Sequence, residues 1–299
     1  MTKALTKESW QKHIKFVSLT IEDYLQQKIM KLTWFDANSW LLEAGGRRIL
    51  VDPWLVGDLI FGGMDWLVRG IRKDPSNPER SIDIDIPKNI DLILLSQGLA
   101  DHAHPQTLAR LDKSIPVVAS PDGAKVARNR GFKSVQDIGH GESLQIKDVK
   151  VQAFIGAPVG AMKKENAYVV TFLKEKLRLY YEPHGYPDAE HLKDIEPIDV
   201  VITPMADIDL LTALPVIRGS AAAVTLAELL RPQVMLPTAQ NGRVTYTGLL
   251  APVIKQTGGA EAIAAQLNQK GFEIPVVAPE SGETVTLDLE AKRAEAQVG

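Results

Sequence analysis

The sequence predicts an α+β fold in which two mixed β-sheets pack face to face and helices cover both outer surfaces, a four-layer αββα sandwich. Three observations carry this. Short strand-like runs open the chain after residue 30 and recur from residue 149. Each group of strands passes into strand–helix alternation, the grammar of sheets with helices on the outside. No internal repeat and no long Gly/Pro/Ser-rich linker divides the 299 residues, so residues 30–299 read as one domain.

Residues 1–29 read differently. Trp10, Ile14, Val17, Ile21, Leu25 and Ile29 recur at helical spacing with polar residues between them, which predicts an amphipathic helical extension. It either docks on the protein's own surface or serves as a partner-binding arm, and Met30 is an alternative start. Strands then follow at 32–36, 40–43 and 47–52, the last two joined by the turn at Gly45 and Gly46. Further strands are expected at 90–95, 116–119, 149–154, 168–172, 177–181, 200–203, 234–236, 274–277 and 284–287. Helices are expected at 105–111, 123–130, 220–230, 249–256 and 259–270, with Pro232 stopping the third. The Pro-containing stretch 74–87 reads as a surface loop. Residues 54–71 hold Trp54, Leu55, Leu59, Phe61, Met64, Trp66 and Val68 among aspartates and glycines. That segment fills core, lids a pocket, or contacts a partner or membrane surface.

Composition excludes several classes. The net charge of −3 comes from interspersed acidic and basic residues with no long basic run, so a nucleic-acid partner has no electrostatic support. The absence of cysteine removes disulfides, thiolate-bound zinc and a thiol nucleophile. No stretch reaches the roughly 18 apolar residues of a membrane span. No secretory signal pattern is visible at the first residues. A soluble, cytoplasmic protein is expected, with a small-molecule substrate or ligand and a homo-oligomeric state left open.

The chemistry concentrates in the loop Ser96-Gln97-Gly98-Leu99-Ala100-Asp101-His102, which follows the apolar run 90–95 and precedes Pro105. Without cysteine, a zinc-type site draws on His, Asp and Glu, and only six histidines are present: His13, His102, His104, His140, His184 and His191. The loop ILLSQGLADH at 93–102 is similar to the H-x-H-x-D-H ligand loop of the metallo-β-lactamase superfamily. KLTWFDANSWLLE and RILVDPWLV within 31–56, GESLQIKDVKV at 141–151, LRLYYEPH at 177–184 and VMLPTAQN at 234–241 resemble, in order, the other segments of that fold. The ascorbate-6-phosphate lactonase-like branch is the nearest in style.

The resemblance implies a metal-dependent hydrolase frame with a degenerate ligand set. Gln97 and Leu99 stand where the first two histidines are expected, and leucine has no donor atom. No histidine follows Ala157-Pro158, where the third falls, and Ala239-Gln240 occupies the place of the last. Asp101 and His102 match the second metal site, and Glu182 and His184 fall near the bridging aspartate. The implied site is at most mononuclear: one zinc, manganese or iron ion on Asp101, His102, Glu182 and His184, or no metal. Asp101 and Glu182 are the candidate catalytic carboxylates, with Asp52 a further base candidate. Asn166 and Asn241 are candidate substrate contacts at the rim, although both also read as turn residues. Two readings stay open. One is a hydrolase of a small ester, lactone or phosphate-bearing substrate. The other is a non-catalytic ligand- or partner-binding protein that has lost the metal.

Overall fold

A computed structural model describes residues 28–159, 163–210, 214–240 and 242–290. The expected N-terminal helix lies outside them, apart from Lys28 and Ile29, which begin a strand. The candidate Asn241 also lies outside them.

Strand and helix labels run in chain order. The first sheet has seven strands in the order β20 (Thr284–Leu289), β1 (Lys28–Trp34), β2 (Trp40–Ala44), β3 (Arg47–Val51), β7 (Leu92–Leu95), β8 (Val117–Ala119) and β9 (Val135–Asp137). It is antiparallel from β20 to β3 and parallel from β3 to β9. The second sheet has six: β10 (Ser143–Ile146), β11 (Val149–Val159), β12 (Lys163–Phe172), β13 (Leu177–Tyr181), β14 (Val200–Pro204) and β17 (Val234–Thr238). It too changes from antiparallel to parallel, at the β13–β14 pair.

Alternation along each strand builds the layers, because successive side chains point to opposite faces. Ile49, Val51, Leu92 and Leu94 of the first sheet meet Leu177, Leu179, Tyr181, Val200 and Ile202 of the second in the central core. The intervening Leu50, Ile93 and Leu95 face outward. There they pack under α1 (Pro105–Arg110) and α2 (Pro121–Asn129), which contribute Leu108, Ala124 and Ala127. Tyr180, Val201 and Met235 do the same on the other side. Their cover is α4 (Gly219–Leu230) and α5 (Ala260–Gln269), with a single turn, α3 (Ala189–Leu192), beside them. This is the four-layer sandwich the sequence predicts. Among the described residues no helix is long and apolar enough to cross a membrane.

Two small sheets cap one end. One holds β16 (Leu214–Arg218), β15 (Ala206–Leu210) and β19 (Ile254–Gly258); the other holds β18 (Val244–Thr247), β5 (Arg69–Asp74) and β4 (Leu59–Ile60), with β6 (Asn77–Ser81) paired to β5. These correct the sequence reading at three places. The helix expected at 249–256 is instead a short 3-10 turn, Ala251–Val253, leading into β19. The stretch 74–87 contributes an edge strand rather than a plain loop. Asp207 and Asp209, in a stretch where the sequence predicts no strand, lie on β15. Pairing of β15 with β19, distant in sequence, overrides a weak local pattern, and β6 is a hairpin partner of the neighbouring β5. The expected strand at 274–277 reduces to the single bridge between Met235 and Val276.

The segment 54–71 divides its work. Trp54, Leu55, Val56 and Leu59 are buried, whereas Met64 and Trp66 are exposed. A buried ion pair fastens it to the body: Arg72 Nε donates to Asp36 Oδ2 at 2.7 Å, with both side chains fully buried. The remaining guanidinium N–H groups donate to the carbonyls of Leu55, Phe35 and Trp54, and the guanidinium stacks on the Trp54 ring at 4.3 Å. Burial lowers the Arg72 pKa, the Asp36 carboxylate working against it. Four hydrogen bonds, one to the carboxylate and three to carbonyls, offset the desolvation of the guanidinium. Asp36 in turn fixes the β1–β2 turn that carries Asn38, where Asp36 and Ala37 adopt positive φ.

Candidate metal centre

The candidate residues come from the ends of strands that both sheets present to one edge. Asp52 follows β3, the loop 96–102 follows β7, and Glu182 to His184 follow β13. Glu165 and Asn166 sit near the start of β12, which runs antiparallel to β13 and so reaches the same edge.

Asp101, His102 and His184 converge there. One ligand-type atom from each lies within 4.8 Å of the others. Asp101 Oδ2 is 3.1 Å from His102 Nε2, and the two imidazole rings stand 5.0 Å apart between centroids. Each histidine has its other nitrogen occupied by a carboxylate. His102 Nδ1 lies 2.7 Å from Asp52 Oδ2, and His184 Nδ1 lies 2.8 and 2.9 Å from the two oxygens of Glu165. A carboxylate on Nδ1 fixes the ring orientation and the tautomer, leaving the Nε2 lone pair outward. Asn38 Nδ2 also lies 3.3 Å from His102 Nε2.

Those carboxylates are themselves held. Asp52 accepts from the Ser96 backbone N–H at 2.7 Å, the Ser96 hydroxyl at 2.6 Å and the Tyr181 hydroxyl at 2.7 Å. Glu165 accepts from Gln97 Nε2 at 2.9 Å and from the Ala157 N–H at 3.1 Å. Electrostatics follow from the pairing. Burial opposes charge on His102, but the carboxylates of Asp101 and Asp52 outweigh it and raise its pKa well above 6.5. His184 shows the same contest: burial lowers its pKa, and Glu165 raises it further. Burial pushes the Asp101 carboxyl up, yet the two histidines bring it below its ordinary 3.8.

The donor set suits a divalent ion. Two imidazoles and one carboxylate are common ligands of zinc and of other first-row metals. Asp101 Oδ1 is buried with no hydrogen-bond partner, an arrangement that is costly unless something else engages it.

Glu182, expected from the sequence among the ligands and as a catalytic carboxylate, lies outside this group. Its oxygens accept from the backbone N–H groups of His184 at 3.0 Å and Gly185 at 2.6 Å, with Thr203 at 3.4 Å. It is fully buried; burial and the neighbouring Glu165 charge raise its pKa. Its work is to build the turn that presents His184. Gly185 completes that turn with φ of 85°, and a Cβ there would collide with the Arg218 carbonyl. Asn166, expected at the substrate rim, is buried with its amide on the Ile138 carbonyl at 2.9 Å and the Tyr168 hydroxyl at 3.2 Å.

His104 caps α1, accepting from the Thr107 N–H at 3.3 Å, and His140 contacts the Glu165 carbonyl at 3.0 Å. Of the two positions without histidine, Gln97 is buried against Glu165 and Leu99 is half-exposed. The residues missed from the sequence are Glu165 and Tyr181. Glu165 opens an apolar strand, a place where a turn carboxylate is ordinary, and only the topology brings it to His184.

Residues 31–239 match the family model described as Beta-lactamase superfamily domain. A protein named UPF0173 metal-dependent hydrolase from Korarchaeum cryptofilum is 24% identical over 270 residues, covering 87% of this chain and all of that one. Among solved structures, a possible metal-dependent hydrolase from Veillonella parvula superposes with a TM-score of 0.64 at 14% identity, covering 87% of this chain and 100% of the other. Igni18, a metallo hydrolase from Ignicoccus hospitalis, gives 0.61 at 15% identity over 88% of this chain and 100% of its own. At these identities the structural likenesses speak for the fold.

Proposed function

The chain belongs to the beta-lactamase superfamily, and from that premise we propose that it is a metal-dependent hydrolase with a single divalent ion held by Asp101, His102 and His184. The observation that carries the reading is the convergence of these three side chains, with Asp52 and Glu165 behind the two imidazoles. The ion, when bound, would polarise a carbonyl and lower the pKa of a bound water. Gln97 and Leu99 support a reduced site, since one is committed to Glu165 and the other has no donor. The opening segment supports a place near the lactonase-like branch, and the substrate is a small ester, lactone or phosphate-bearing molecule.

The protein's own groups supply the rest. Asp52 and Glu165 hold the imidazoles by Nδ1, so that a bound ion would take the place of the proton on Nε2. Asp101 Oδ1, without a partner and beside the cavity, is placed to accept the proton of an attacking water. In hydrolysis the water oxygen bonds the acyl carbon, the acyl–oxygen bond breaks, and the proton passes from Asp101 to the leaving oxygen. Asn38 lines the same cavity, with its Nδ2 3.3 Å from His102 Nε2.

The test is metal content and hydrolysis of p-nitrophenyl acetate by the wild type, Asp101→Asn and His184→Ala. Both variants are expected to lose hydrolysis, and His184→Ala to lose bound metal. Wild-type hydrolysis that survives in both variants overturns the assignment.

A further inference from the structure

A cavity of about 470 Å3 opens beside Asp101 and His184, a volume within the range of pockets that enclose small organic ligands. Away from the candidate metal centre its walls are mostly apolar, with Gln240, Gln256 and Asp209 among the polar members. Phe61 and Val68 come from the 54–71 segment, Ile208 from β15, Val216 and Ile217 from β16, and Ile254 from β19. No lysine or arginine lines it among the described residues. Asp209, the other carboxylate of the wall, is paired with Arg218 at 3.2 Å. Tyr246 also lines it; burial, with Asp101 and Asp36 nearby, pushes its phenol up to about 12, so that wall is neutral at ordinary pH.

We infer that the substrate is an uncharged ester or lactone with an apolar alkyl body, its carbonyl at Asp101 and His184 and its chain along Phe61, Val68, Ile208 and Ile217. The reacting group rests on the hydrolase reading; the apolar body rests on the walls alone. A phosphate carried along these walls would surrender its hydration to largely apolar surface, with no lysine or arginine among the described lining residues to receive it. An alkyl chain gains roughly fourfold in affinity for each methylene buried, until the cavity is full.

The experiment measures dissociation constants, by titration calorimetry, for γ-valerolactone, γ-heptalactone and γ-nonalactone, and for hexyl acetate against hexyl phosphate. Both metal-loaded and chelator-treated protein are used. Lactone affinity is expected to rise roughly fourfold per methylene in both forms, and hexyl acetate to bind at least about tenfold tighter than hexyl phosphate after chelation. Val216→Arg, on a half-exposed wall position, is expected to weaken γ-nonalactone binding and narrow the acetate–phosphate gap. Affinities independent of chain length, or a tighter phosphate after chelation, overturn the inference. Chain-dependent binding without hydrolysis by the metal-loaded protein leaves the apolar site standing and removes the hydrolase reading. Hydrolysis without chain dependence does the reverse.

Discussion

Glu165→Gln isolates the carboxylate behind His184 while nearly preserving shape. In the native protein both Glu165 oxygens face His184 Nδ1, at 2.8 and 2.9 Å, and the same oxygens accept from Gln97 and Ala157. Glutamine keeps one acceptor and turns the other into an N–H2 group that faces donors. The imidazole therefore loses a charge-assisted hydrogen bond of about 1.5–3 kcal/mol. Losing such a partner typically weakens metal affinity about 10- to 100-fold, or roughly 1.4–2.7 kcal/mol. The assay is competition for zinc against a chromophoric chelator, with thermal unfolding of the metal-free protein as a control for folding. The expected result is a 10- to 100-fold rise in the zinc dissociation constant. Native-like zinc affinity in a folded Glu165→Gln protein would refute the role given to Glu165.

Asp101→Asn replaces the carboxylate beside the two histidines with an amide of the same shape; hydrolysis of p-nitrophenyl acetate is expected to fall at least about 100-fold in a protein that circular dichroism shows to be folded. Arg72→Met strips Asp36 of its fully buried partner. Urea denaturation should show a loss of about 3–5 kcal/mol, and a loss under 1 kcal/mol would count against the fastening role. Acid stability supplies a third check. Hydrogen bonds from Arg47 and Lys174 hold the Asp148 carboxyl well below its ordinary 3.8. A depressed folded pKa contributes stability that is present above 3.8 and is lost as pH falls through the lower folded value. Arg47→Ala should therefore be less stable than the wild type near neutral pH, and the gap should shrink below pH 3.8; a gap independent of pH in chemical denaturation contradicts this.

The layers were legible because strands buried on both faces read as near-continuous apolar runs. Ile49, Leu50 and Val51, or Leu177 and Leu179, announce strands without help from neighbours. The end cap was not legible. Residues 206–210 and 254–258 carry mixed polar patterns, and their pairing in one small sheet, with 214–218 on the other side of 206–210, makes them strands. In the site, Asp101, His102 and His184 could be named from residue type and order along the chain. Glu182 could not be separated from them, since sequence shows a carboxylate two residues before His184 but not its hydrogen bonds to the turn. Glu165 lay hidden for the opposite reason: 19 residues separate it from His184, and their contact depends on the β12–β13 pairing.

The most direct test of the central claim is the metal content of the protein purified without added metal, by inductively coupled plasma mass spectrometry, beside His102→Ala and His184→Ala. The expected result is one divalent ion per wild-type chain and little in either variant. A wild type without metal after growth in metal-replete medium, or the same content in all three proteins, would contradict a single ion held by Asp101, His102 and His184.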